Sequence, residues 1–410
     1  MILLHSATIF DGESEELIEN GFVLIENDTI REVGTGVCST PTETVINCNG
    51  RFLMPGLIDN HFHAYSATFD MQWLDRMPKA LLVAYATKHL NDALQRGFTT
   101  VRDPGGGDIG LHLAIEQGLI NGPRFFFGGK ALSQTGGHGD MRPPHHQEPC
   151  NCSYSGVICQ LVDGPDQVRK VAREELHRGA DHIKVFISGG VASPSDPMWM
   201  SQFQNDELLA AVTEAKTRKK YVIAHCHTDE GARRCVETGI RSIDHATDIS
   251  PDTASLIAKS GETFTVPTLA VVRQISDFKE ETDTQPESLS KIRGVLDRML
   301  ASIENCQRAG VKVGLGTDIF GTQYHELQAC EFRYRADVDK PIDILRSATS
   351  INAEIMQRKG ELGVIAAGAK ADLVVLEESP LENIAVFEKY QSHMPIIMRG
   401  GQLIRQKVAS

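Results

Sequence analysis

The sequence predicts an α/β fold in which a (β/α)8 barrel carries a small β domain built from both termini. Eight short apolar runs alternate with helical segments through the middle of the chain, which is typical of a parallel barrel. Both ends instead contain short strands joined by turns. Polar residues close many of the central runs. Because the active site of such a barrel lies at the carboxyl ends of its strands, these polar residues are candidates for a functional site.

The two ends of the chain form the predicted β domain. The segment "GFVLIENDTIREVG" contains two alternating runs around an Asn-Asp turn, which indicates a hairpin. Near the C-terminus, "GAKADLVVLEESP" predicts a buried strand, and "PIIMRGGQLIRQ" predicts a hairpin with Gly-Gly at its turn. We therefore expect the two ends to pair with each other.

The central runs and helices alternate in a regular order. The runs span 56–63, 98–103, 124–129, 182–190, 221–227, 242–246, 262–269 and 311–318. Among the helical segments, "DQVRKVAREELHRG" and "SKIRGVLDRMLASIENCQRAG" each end on a glycine, and Asn205 is the predicted N-cap of "DELLAAVTEAKTRKK". The polar residues that close the runs are His61, His63, Asp103, Lys184, His225, His245 and Asp318.

Composition and charge exclude several classes of protein. The 410 residues are 41% apolar and 23% charged, as in an ordinary globular protein. The net charge of −13 opposes nucleic-acid binding, which requires a basic surface. No apolar run approaches the roughly 18–20 residues of a membrane span, and the start lacks the pattern of a signal peptide. With nine scattered cysteines, we expect a soluble cytoplasmic protein that binds neither nucleic acid nor membrane.

Two further groups of residues are expected to be structural. The cysteines of "CNCSYSGVIC" lack the spacing of a standard zinc ribbon, so a structural loop is expected there rather than a metal site or a disulfide. These cysteines are Cys150, Cys152 and Cys159. Three isolated histidines are also expected to be structural: His112, His177 and His325.

Imidazoles and carboxylates gathered at one rim suit zinc or a similar divalent ion. In "PGLIDNHFH", His61 and His63 lie on one face at a strand end, so both are predicted to bind metal. The segment "VIAHCHTDE" offers a second pair, His225 and His227, and strand geometry leaves open whether both bind metal. Asp318 in "GLGTD" can bind metal and can also accept a proton from metal-bound water.

Lys184 is an unusual neighbour for a metal site. A protonated lysine would be repelled by a dication, so one interpretation makes it a surface or salt-bridging residue. In the other interpretation CO2 carbamylates the amine, which converts a cation into a carboxylate that can bridge two metals. The residues alone leave both interpretations open.

Together these residues resemble the amidohydrolase superfamily, in its binuclear-metal branch. The similarity extends over nearly the whole chain, through "MPGLIDNHFH", "FTTVRD", "SQTGGHGD", "IKVFISGGVASPSDP", "IAHCHT", "SIDHA", "GLGTD" and "GAKADLVVL". The resemblance implies a (β/α)8 TIM barrel with a small β-sandwich domain formed by both termini. The expected division is residues 1–55 plus 365–410 for the β-sandwich and residues 56–364 for the barrel.

The resemblance also implies two divalent metal ions, expected to be Zn2+. In this set the first ion is bound by His61, His63 and Asp318, and the second by His225 and His245. A CO2-derived carbamate on Lys184 would bridge them. A hydroxide between the two ions would attack an amide carbonyl, and Asp318 would take its proton and pass it to the leaving amine.

The segments "SQTGGHGD" and "SGGVASPSDP" resemble prolidase-like dipeptidases and N-acyl-amino-acid hydrolases, which are related to imidazolonepropionase-like amidohydrolases. The implied substrate is a small molecule, an Xaa-Pro dipeptide or an N-acyl-L-amino acid. The alternatives are a dipeptide with another C-terminal residue, or a non-peptide amide, carbamate or urea of a mycotoxin or xenobiotic. Lys184 opposes a deaminase, and the complete ligand set opposes a non-catalytic scaffold. Relatives often assemble, so a homo-oligomer is expected.

One departure from the prolidase-like members concerns the residue that contacts substrate. Those members usually carry His-x-Tyr where this chain has His-Cys-His at 225–227. The resemblance therefore places His227 on the substrate rather than on metal, with Cys226 in the packing. His138 in "TGGHGD" is expected to polarise the scissile carbonyl or to contact a carboxylate. Arg142 is a candidate for the substrate carboxylate, with a surface arginine as the alternative. The expected catalytic residues are Asp318, His138 and His227.

Overall fold

A computed structural model describes residues 1–142, 156–191, 193, 196–278, 292 and 294–407. Its strands form one mixed sheet from the two ends of the chain and two parallel sheets from the middle. The described strands are β1 (Ile2–Ile9), β2 (Ile18–Glu26), β3 (Thr29–Thr35), β4 (Thr44–Asn47), β5 (Phe52–Pro55), β6 (Leu57–Asp59), β7 (Phe98–Asp103), β8 (Arg124–Phe127), β9 (Ala131–Ser133), β10 (Cys159–Leu161), β11 (His182–Phe186), β12 (Tyr221–Cys226), β13 (Ser242–His245), β14 (Phe264–Val266), β15 (Leu373–Leu376), β16 (Ile396–Arg399) and β17 (Gln402–Gln406).

Helices occupy most connections between the central strands. The described α-helices are α1 (Met71–Arg76), α2 (Lys79–Gln95), α3 (Ile109–Glu116), α4 (Pro165–His177), α5 (Asn205–Thr217), α6 (Asp229–Thr238), α7 (Pro251–Ser260), α8 (Leu269–Asp277), α9 (Val295–Ala309), α10 (Cys330–Arg335), α11 (Pro341–Arg346), α12 (Asn352–Ile355) and α13 (Tyr390–His393). Short 3-10 helices span Thr322–Ala329 and Ile384–Lys389, and a π-helical turn spans Ser347–Ile351. The predicted alternation of strands and helices is therefore present.

The two ends of the chain meet in the mixed sheet, as the sequence predicts. Its order is β17-β16-β15-β5-β1-β2-β3, with β4 paired to β1. The junction is the antiparallel pair of β5 and β15, in which Pro55 lies opposite Leu373 and Phe52 opposite Leu376. Both predicted hairpins form, one around Asn27 and Asp28 and the other around 400–401. Buried side chains from both termini fill the core beneath this sheet.

The parallel strands form a six-stranded sheet, β10-β9-β11-β12-β13-β14, and a three-stranded sheet, β6-β7-β8. Backbone hydrogen bonds connect these two sheets. The amide of Asp181, just before β11, donates to the carbonyl of Phe127 in β8 over 2.7 Å. On the other side, Gly314 donates to Thr265 in β14 over 2.8 Å, and Asn60 donates to Leu315 over 2.9 Å. Residues 311–318 therefore lie between β14 and the end of β6.

The eighth predicted strand, at 311–318, is irregular rather than a regular strand. It pairs with its neighbour only through an isolated bridge between Val313 and Thr265. The side chain of Asn352 occupies positions that a neighbouring backbone would fill. Its Oδ1 accepts from the amide of Leu315 over 3.0 Å, and its Nδ2 donates to the carbonyl of the same residue over 2.8 Å. A side chain from another segment thus replaces part of the strand ladder.

Two local predictions differ from the structure. Asn205 is the first helical residue of α5, and Gln204 is the N-cap, because Glu207 reaches back to accept from the Gln204 amide over 2.6 Å. Strands β9 and β10 were not predicted. Cys159 lies buried in β10, whereas Cys150 and Cys152 fall outside the described residues. Among the helices of the described ranges, none is both long and apolar enough to cross a membrane.

Candidate metal centre

Three of the predicted metal ligands converge at one point. His61 and His63 follow β6, and Asp318 ends the eighth run. The Nε2 atoms of His61 and His63 lie 3.4 Å and 3.3 Å from Oδ1 of Asp318. One donor atom from each residue belongs to a group in which every pair lies within 4.8 Å. The structure therefore brings together the ligands predicted for the first metal.

Backbone contacts produce this convergence. The amide of Asp318 donates to the carbonyl of His61 over 2.7 Å, which holds the two segments side by side. Gly316 permits the approach, because a Cβ at this position would lie 2.7 Å from Cβ of His61. Asp318 has a φ of +56° and His245 a φ of +69°, a left-handed region that few non-glycine residues adopt. Strained backbone of this kind clusters at functional sites.

Neighbouring groups hold the second nitrogen of each ring. Nδ1 of His63 donates to the carbonyl of Gly105 over 2.9 Å. Nδ1 of His61 lies 2.9 Å from Oδ2 of Asp244. Such contacts typically orient metal-binding histidines and fix their tautomer. Both rings consequently turn Nε2 toward Asp318.

The residues predicted for the second metal lie beside this group. The ring of His245 is 4.9 Å from that of His61 and 4.4 Å from that of His225, measured between centroids. The Lys184 amine, from β11, lies 3.3 Å from Oδ2 of Asp244. All six predicted ligands line one cavity.

Burial keeps most of these histidines neutral. It lowers the pKa of His61 to about 4, and it takes the pKa values of His225 and His245 well below the ordinary value. Burial alone would also lower the pKa of His63, but the hydrogen bond and charge of Asp318 outweigh it and raise this pKa. Neutral imidazole is the form that binds a metal ion, so most of the set is available at neutral pH.

His227 lies next to the cluster but has different contacts. Its Nδ1 shares a hydrogen bond of 2.7 Å with Oγ1 of Thr247, and its backbone amide donates to Oγ of Ser188 over 2.9 Å. Its ring is nearly parallel to that of His245, at a centroid distance of 5.1 Å. Cys226 packs among buried apolar residues on the other side of the strand. His227 lines the cavity, and its contact with substrate stays a prediction.

The loop after β9 brings His138 to the same cavity. Its Nδ1 lies 2.8 Å from Oγ of Ser193 and 3.2 Å from Oδ2 of Asp196. Its ring stacks on His225 with the centroids 4.3 Å apart. A Cβ at Gly190 would overlap the His138 ring, so the placement of this ring requires a glycine there.

Arg142 and the isolated histidines are not among the described residues that line the cavity. The guanidinium of Arg142 donates to both carboxylate oxygens of Asp140, over 2.7 Å and 2.6 Å, which is a bidentate pair. The described residues that line the cavity include its neighbour Met141 but not Arg142, whose binding of substrate stays a prediction. His112 donates to a backbone carbonyl, His177 is exposed at the end of α4, and His325 is buried.

Apolar side chains form the walls of the cavity above the cluster. The cavity has a volume of about 120 Å³, and its walls include Phe69, Met71, Ile158, Val272, Met299 and Phe320. Among the described lining residues, Lys184 is the sole lysine or arginine. Polar donors therefore lie at the floor, and apolar surface surrounds the space above them.

The sequence of residues 52–402 matches the model of the amidohydrolase family. The chain belongs to the amidohydrolase family. The predicted resemblance is confirmed, and so is the prediction of a hydrolase that acts on amide or peptide bonds.

Known proteins resemble this amidohydrolase over nearly its whole length. Ochratoxinase from Aspergillus niger is 29% identical over 427 residues, which cover 98% of this chain and 86% of that protein. The structure of a prolidase complexed with N-methylphosphonate-L-proline has a TM-score of 0.95 and 40% identity, covering 99% of this chain and 100% of that one. An Xaa-Pro dipeptidase with methionine bound in its active site has a TM-score of 0.87 and 28% identity, covering 98% and 99%. These folds imply a TIM barrel with a β-rich domain.

The donor set of this amidohydrolase fits a divalent metal ion, and members of the family generally bind such ions. Two imidazole nitrogens and a carboxylate oxygen are borderline to hard ligands that suit zinc and similar ions. The carboxylate of Asp318 lies between the Nε2 atoms of His61 and His63, and the second nitrogen of each ring is already held. Each ring therefore presents Nε2 to a metal while its Nδ1 contacts another group.

The buried pair of Arg102 and Asp244 was not predicted from the sequence. Nη2 of Arg102 lies 3.1 Å from Oδ1 of Asp244, and neither residue is exposed. Burial would raise the pKa of Asp244, but the charges of Lys184 and Arg102 hold it well below its ordinary value. The available signal was a charged residue inside the apolar runs "FTTVRD" and "SIDHA", because a charge in a buried strand requires a partner.

The carboxylate of Asp103, the last residue of the second run, accepts hydrogen bonds from the backbone of neighbouring loops. Its Oδ2 accepts from the amide of Ala64 over 2.8 Å, and its Oδ1 accepts from the amide of Gly105 over 3.0 Å. It therefore holds the segment that follows His63, and burial raises its pKa to about 6.

Proposed function

We propose that this amidohydrolase cleaves the amide bond of Xaa-Pro dipeptides or N-acyl-L-amino acids in the cavity above His61, His63 and Asp318. The observation that carries the proposal is the convergence of two imidazoles and a carboxylate at the floor of an apolar cavity. The likeness at 40% identity to a prolidase that binds a proline phosphonate supports this class of substrate. Both kinds of substrate place an amide next to a carboxylate-bearing residue.

Two divalent ions, with Zn2+ as the first candidate, are the proposed cofactors. The first ion is assigned to His61, His63 and Asp318, and the second to His225 and His245. Lys184, as a CO2-derived carbamate, is the proposed bridge between them. Burial lowers the pKa of Lys184, which favours the neutral amine that reacts with CO2.

When bound, the metal pair supplies activated water at neutral pH. Asp318 is the proposed base, which accepts the proton of this water at a carboxylate oxygen and delivers it to the leaving nitrogen. Burial would raise the pKa of Asp318, but His61 and His63 hold it below its ordinary value. The carboxylate is consequently ionised at neutral pH and able to accept a proton.

His138 and His227 are the proposed substrate contacts. His227 commits Nδ1 to Thr247, which leaves Nε2 as the atom that contacts substrate. Burial lowers the pKa of His227 to about 3, so this ring acts as a neutral hydrogen-bonding group and not as an acid. His138 lines the same cavity and is assigned to the scissile carbonyl or the substrate carboxylate.

A non-peptide amide is the alternative class of substrate, together with a carbamate, a urea or a dipeptide with another C-terminal residue. Ochratoxinase, the relative that is 29% identical over 98% of this chain, supports this alternative. So do the apolar walls, because they bury apolar groups of any origin.

We also propose that the parallel strands close into a (β/α)8 barrel at 56–364, beside a β-sandwich of residues 1–55 and 365–410. The hydrogen bonds that join β8 to β11, β14 to 314 and β6 to 315 support closure. We further propose that the protein is a homo-oligomer in the cytoplasm. The described cysteines are all free, which agrees with a reducing compartment.

The test is a library of dipeptides and N-acyl amino acids, assayed with Zn2+ and with bicarbonate as the source of CO2. We expect release of the C-terminal amino acid from at least one Xaa-Pro or N-acyl-amino-acid substrate, and loss of the reaction with a chelator. Hydrolysis confined to anilides, carbamates or ureas would establish the alternative. A sample with two metals per chain that cleaves no dipeptide and no N-acyl amino acid would overturn the proposal.

A further inference from the structure

The buried ion pair of Arg102 and Asp244 lies directly beside the proposed metal ligands. Arg102 comes from β7 and Asp244 from β13. Oδ1 of Asp244 accepts from Nη2 of Arg102 over 3.1 Å and from Oγ of Ser242 over 2.6 Å. Nε of Arg102 also donates over 2.6 Å to the carbonyl of Asn60, the residue before His61. The pair therefore ties β13 to the segment that carries the first proposed ligand.

The other carboxylate oxygen of Asp244 contacts two proposed ligands at once. Oδ2 lies 2.9 Å from Nδ1 of His61 and 3.3 Å from Nζ of Lys184. A lone carboxylate at this depth would be strongly unfavourable, and the guanidinium of Arg102 offsets its charge. One oxygen is thus placed between the ring assigned to the first metal and the amine assigned to the bridge.

We propose that Asp244, held by Arg102, is a positioning residue that orients His61 toward the first metal and the Lys184 carbamate toward both metals. The inference rests on the metal centre described under the proposed function. A carboxylate 2.9 Å from Nδ1 of His61 favours the tautomer with hydrogen on that atom. The lone pair of Nε2, which lies 3.4 Å from Asp318, is then left for the metal.

The bridge is oriented through the hydrogen that remains on its nitrogen. In carbamylation the neutral amine of Lys184 forms a bond to the carbon of CO2, one C–O π pair moves onto oxygen, and one N–H proton leaves to solvent. The carbamate nitrogen keeps one hydrogen. When that hydrogen is donated to Oδ2 of Asp244, both carbamate oxygens point away from the buried pair. Asp244 is therefore an acceptor that, together with the two metals, limits the rotation of the planar carbamate.

The test uses full-length protein purified with Zn2+ and 13C-labelled bicarbonate. Metal per chain is measured by elemental analysis and the carbamate by 13C NMR, and neither readout depends on turnover. We expect the carbamate signal to disappear in Asp244→Asn. The affinity for the first metal should fall by about 10-fold or more. Asp372→Asn is the matched control, because the buried Asp372, just before β15, also pairs with an arginine, the half-buried Arg124 of β8. This control should keep both metals and the carbamate.

A double variant, Arg102→Gln with Asp244→Asn, separates positioning from charge balance. If Asp244 acts only by neutralising Arg102, the double variant regains wild-type metal content and carbamate. If Asp244 positions the ligands, the double variant regains stability against urea but stays without carbamate. Wild-type metal content and carbamate in Asp244→Asn would overturn the inference. Wild-type protein with fewer than two metals and no carbamate would instead refute the proposed metal centre.

Discussion

The imidazole rings of His89 and His325 stack face to face in the interior, with their centroids 3.8 Å apart and an angle of 9° between the planes. Nδ1 of His89 donates to the carbonyl of Ala64 over 2.9 Å, and its Nε2 shares a hydrogen bond of the same length with Thr322. Nε2 of His325 lies 3.0 Å from Oγ of Ser66. The stacked pair therefore joins the loop that follows the first two predicted metal ligands to the loop that follows the third.

His89→Phe should make the protein less stable at neutral pH and less sensitive to acid. Burial lowers the pKa of His89 to about 4 from 6.5, so its contribution to stability is present above pH 6.5 and is lost as the pH falls toward 4. Over that window the wild-type free energy of unfolding falls with a slope of up to about 1.4 kcal/mol per pH unit from this group. Phenylalanine does not titrate, but it leaves the Ala64 carbonyl without its donor at a cost of about 1–3 kcal/mol.

The measurement is urea unfolding of wild type and His89→Phe between pH 7 and pH 4.5. The two curves of stability against pH should approach each other as the pH falls. His112→Phe is the control, since His112 also donates to a backbone carbonyl but lies outside the stacked pair. Parallel curves for wild type and His89→Phe would show that His89 does not titrate with folding.

Lys184→Ala should bind at most one metal ion per chain and lose nearly all activity, because a methyl side chain cannot form the proposed bridge. Elemental analysis and turnover of the substrate found in the library give the two readouts. Lys220→Ala is the matched control, because Lys220 precedes β12 and pairs with Asp181 over 2.7 Å, away from the ligands. Full activity in Lys184→Ala would refute the bridge.

The sequence predicts those parts of the site that depend on the spacing of residues within one segment. His61 and His63 are two residues apart at a strand end, so one run of sequence places both rings on one face. Most of the central strands follow the same logic, since each is a short apolar run that the strand period makes visible. Local patterns of this kind require no knowledge of distant contacts.

The parts that were missed depend on contacts between distant segments. Arg102 and Asp244 are 142 residues apart, and neither local run indicates that the other supplies the opposite charge. The irregular eighth run depends on the side chain of Asn352, which satisfies the backbone of Leu315 from 37 residues away. The ion pair of Arg142 with Asp140 also needed the structure, because two residues of spacing do not show that both groups turn toward each other.

His227→Asn should keep its full metal content and turn over substrate about 100-fold more slowly, as when one donor to a reacting carbonyl is removed. The reason is that His227 already commits Nδ1 to Thr247, which leaves a single ring nitrogen for the substrate. Cys226→Ser is the control, because its side chain packs on the opposite side of the strand and should change stability but not turnover. Loss of one metal ion in His227→Asn would make this histidine a ligand.

Glu331 of α10 is a fully buried carboxyl group that contacts the start of α8, the helix that supplies Val272 to the cavity wall. Its Oε2 accepts from the amide of Ala270 over 2.6 Å. Burial raises the pKa of Glu331 to about 8 from 4.5. A raised pKa means that the folded protein keeps a proton that the unfolded chain releases. Its contribution to stability is therefore complete below pH 4.5 and is lost as the pH rises through 8.

Glu331→Gln should flatten the dependence of stability on pH between about pH 5 and 8. Glutamine can still accept from the Ala270 amide, but it never ionises. The free energy of unfolding should therefore no longer fall by up to about 1.4 kcal/mol per pH unit as the pH rises. Urea unfolding at several pH values across this window gives the slope for each protein. Glu214→Gln serves as the control, because it makes the same substitution at a carboxylate of a different helix, α5, that pairs with Arg173. If Glu331→Gln keeps the wild-type slope, Glu331 is ionised in the folded protein over this range. The stability of the region around helix α8 then does not depend on the protonation of Glu331.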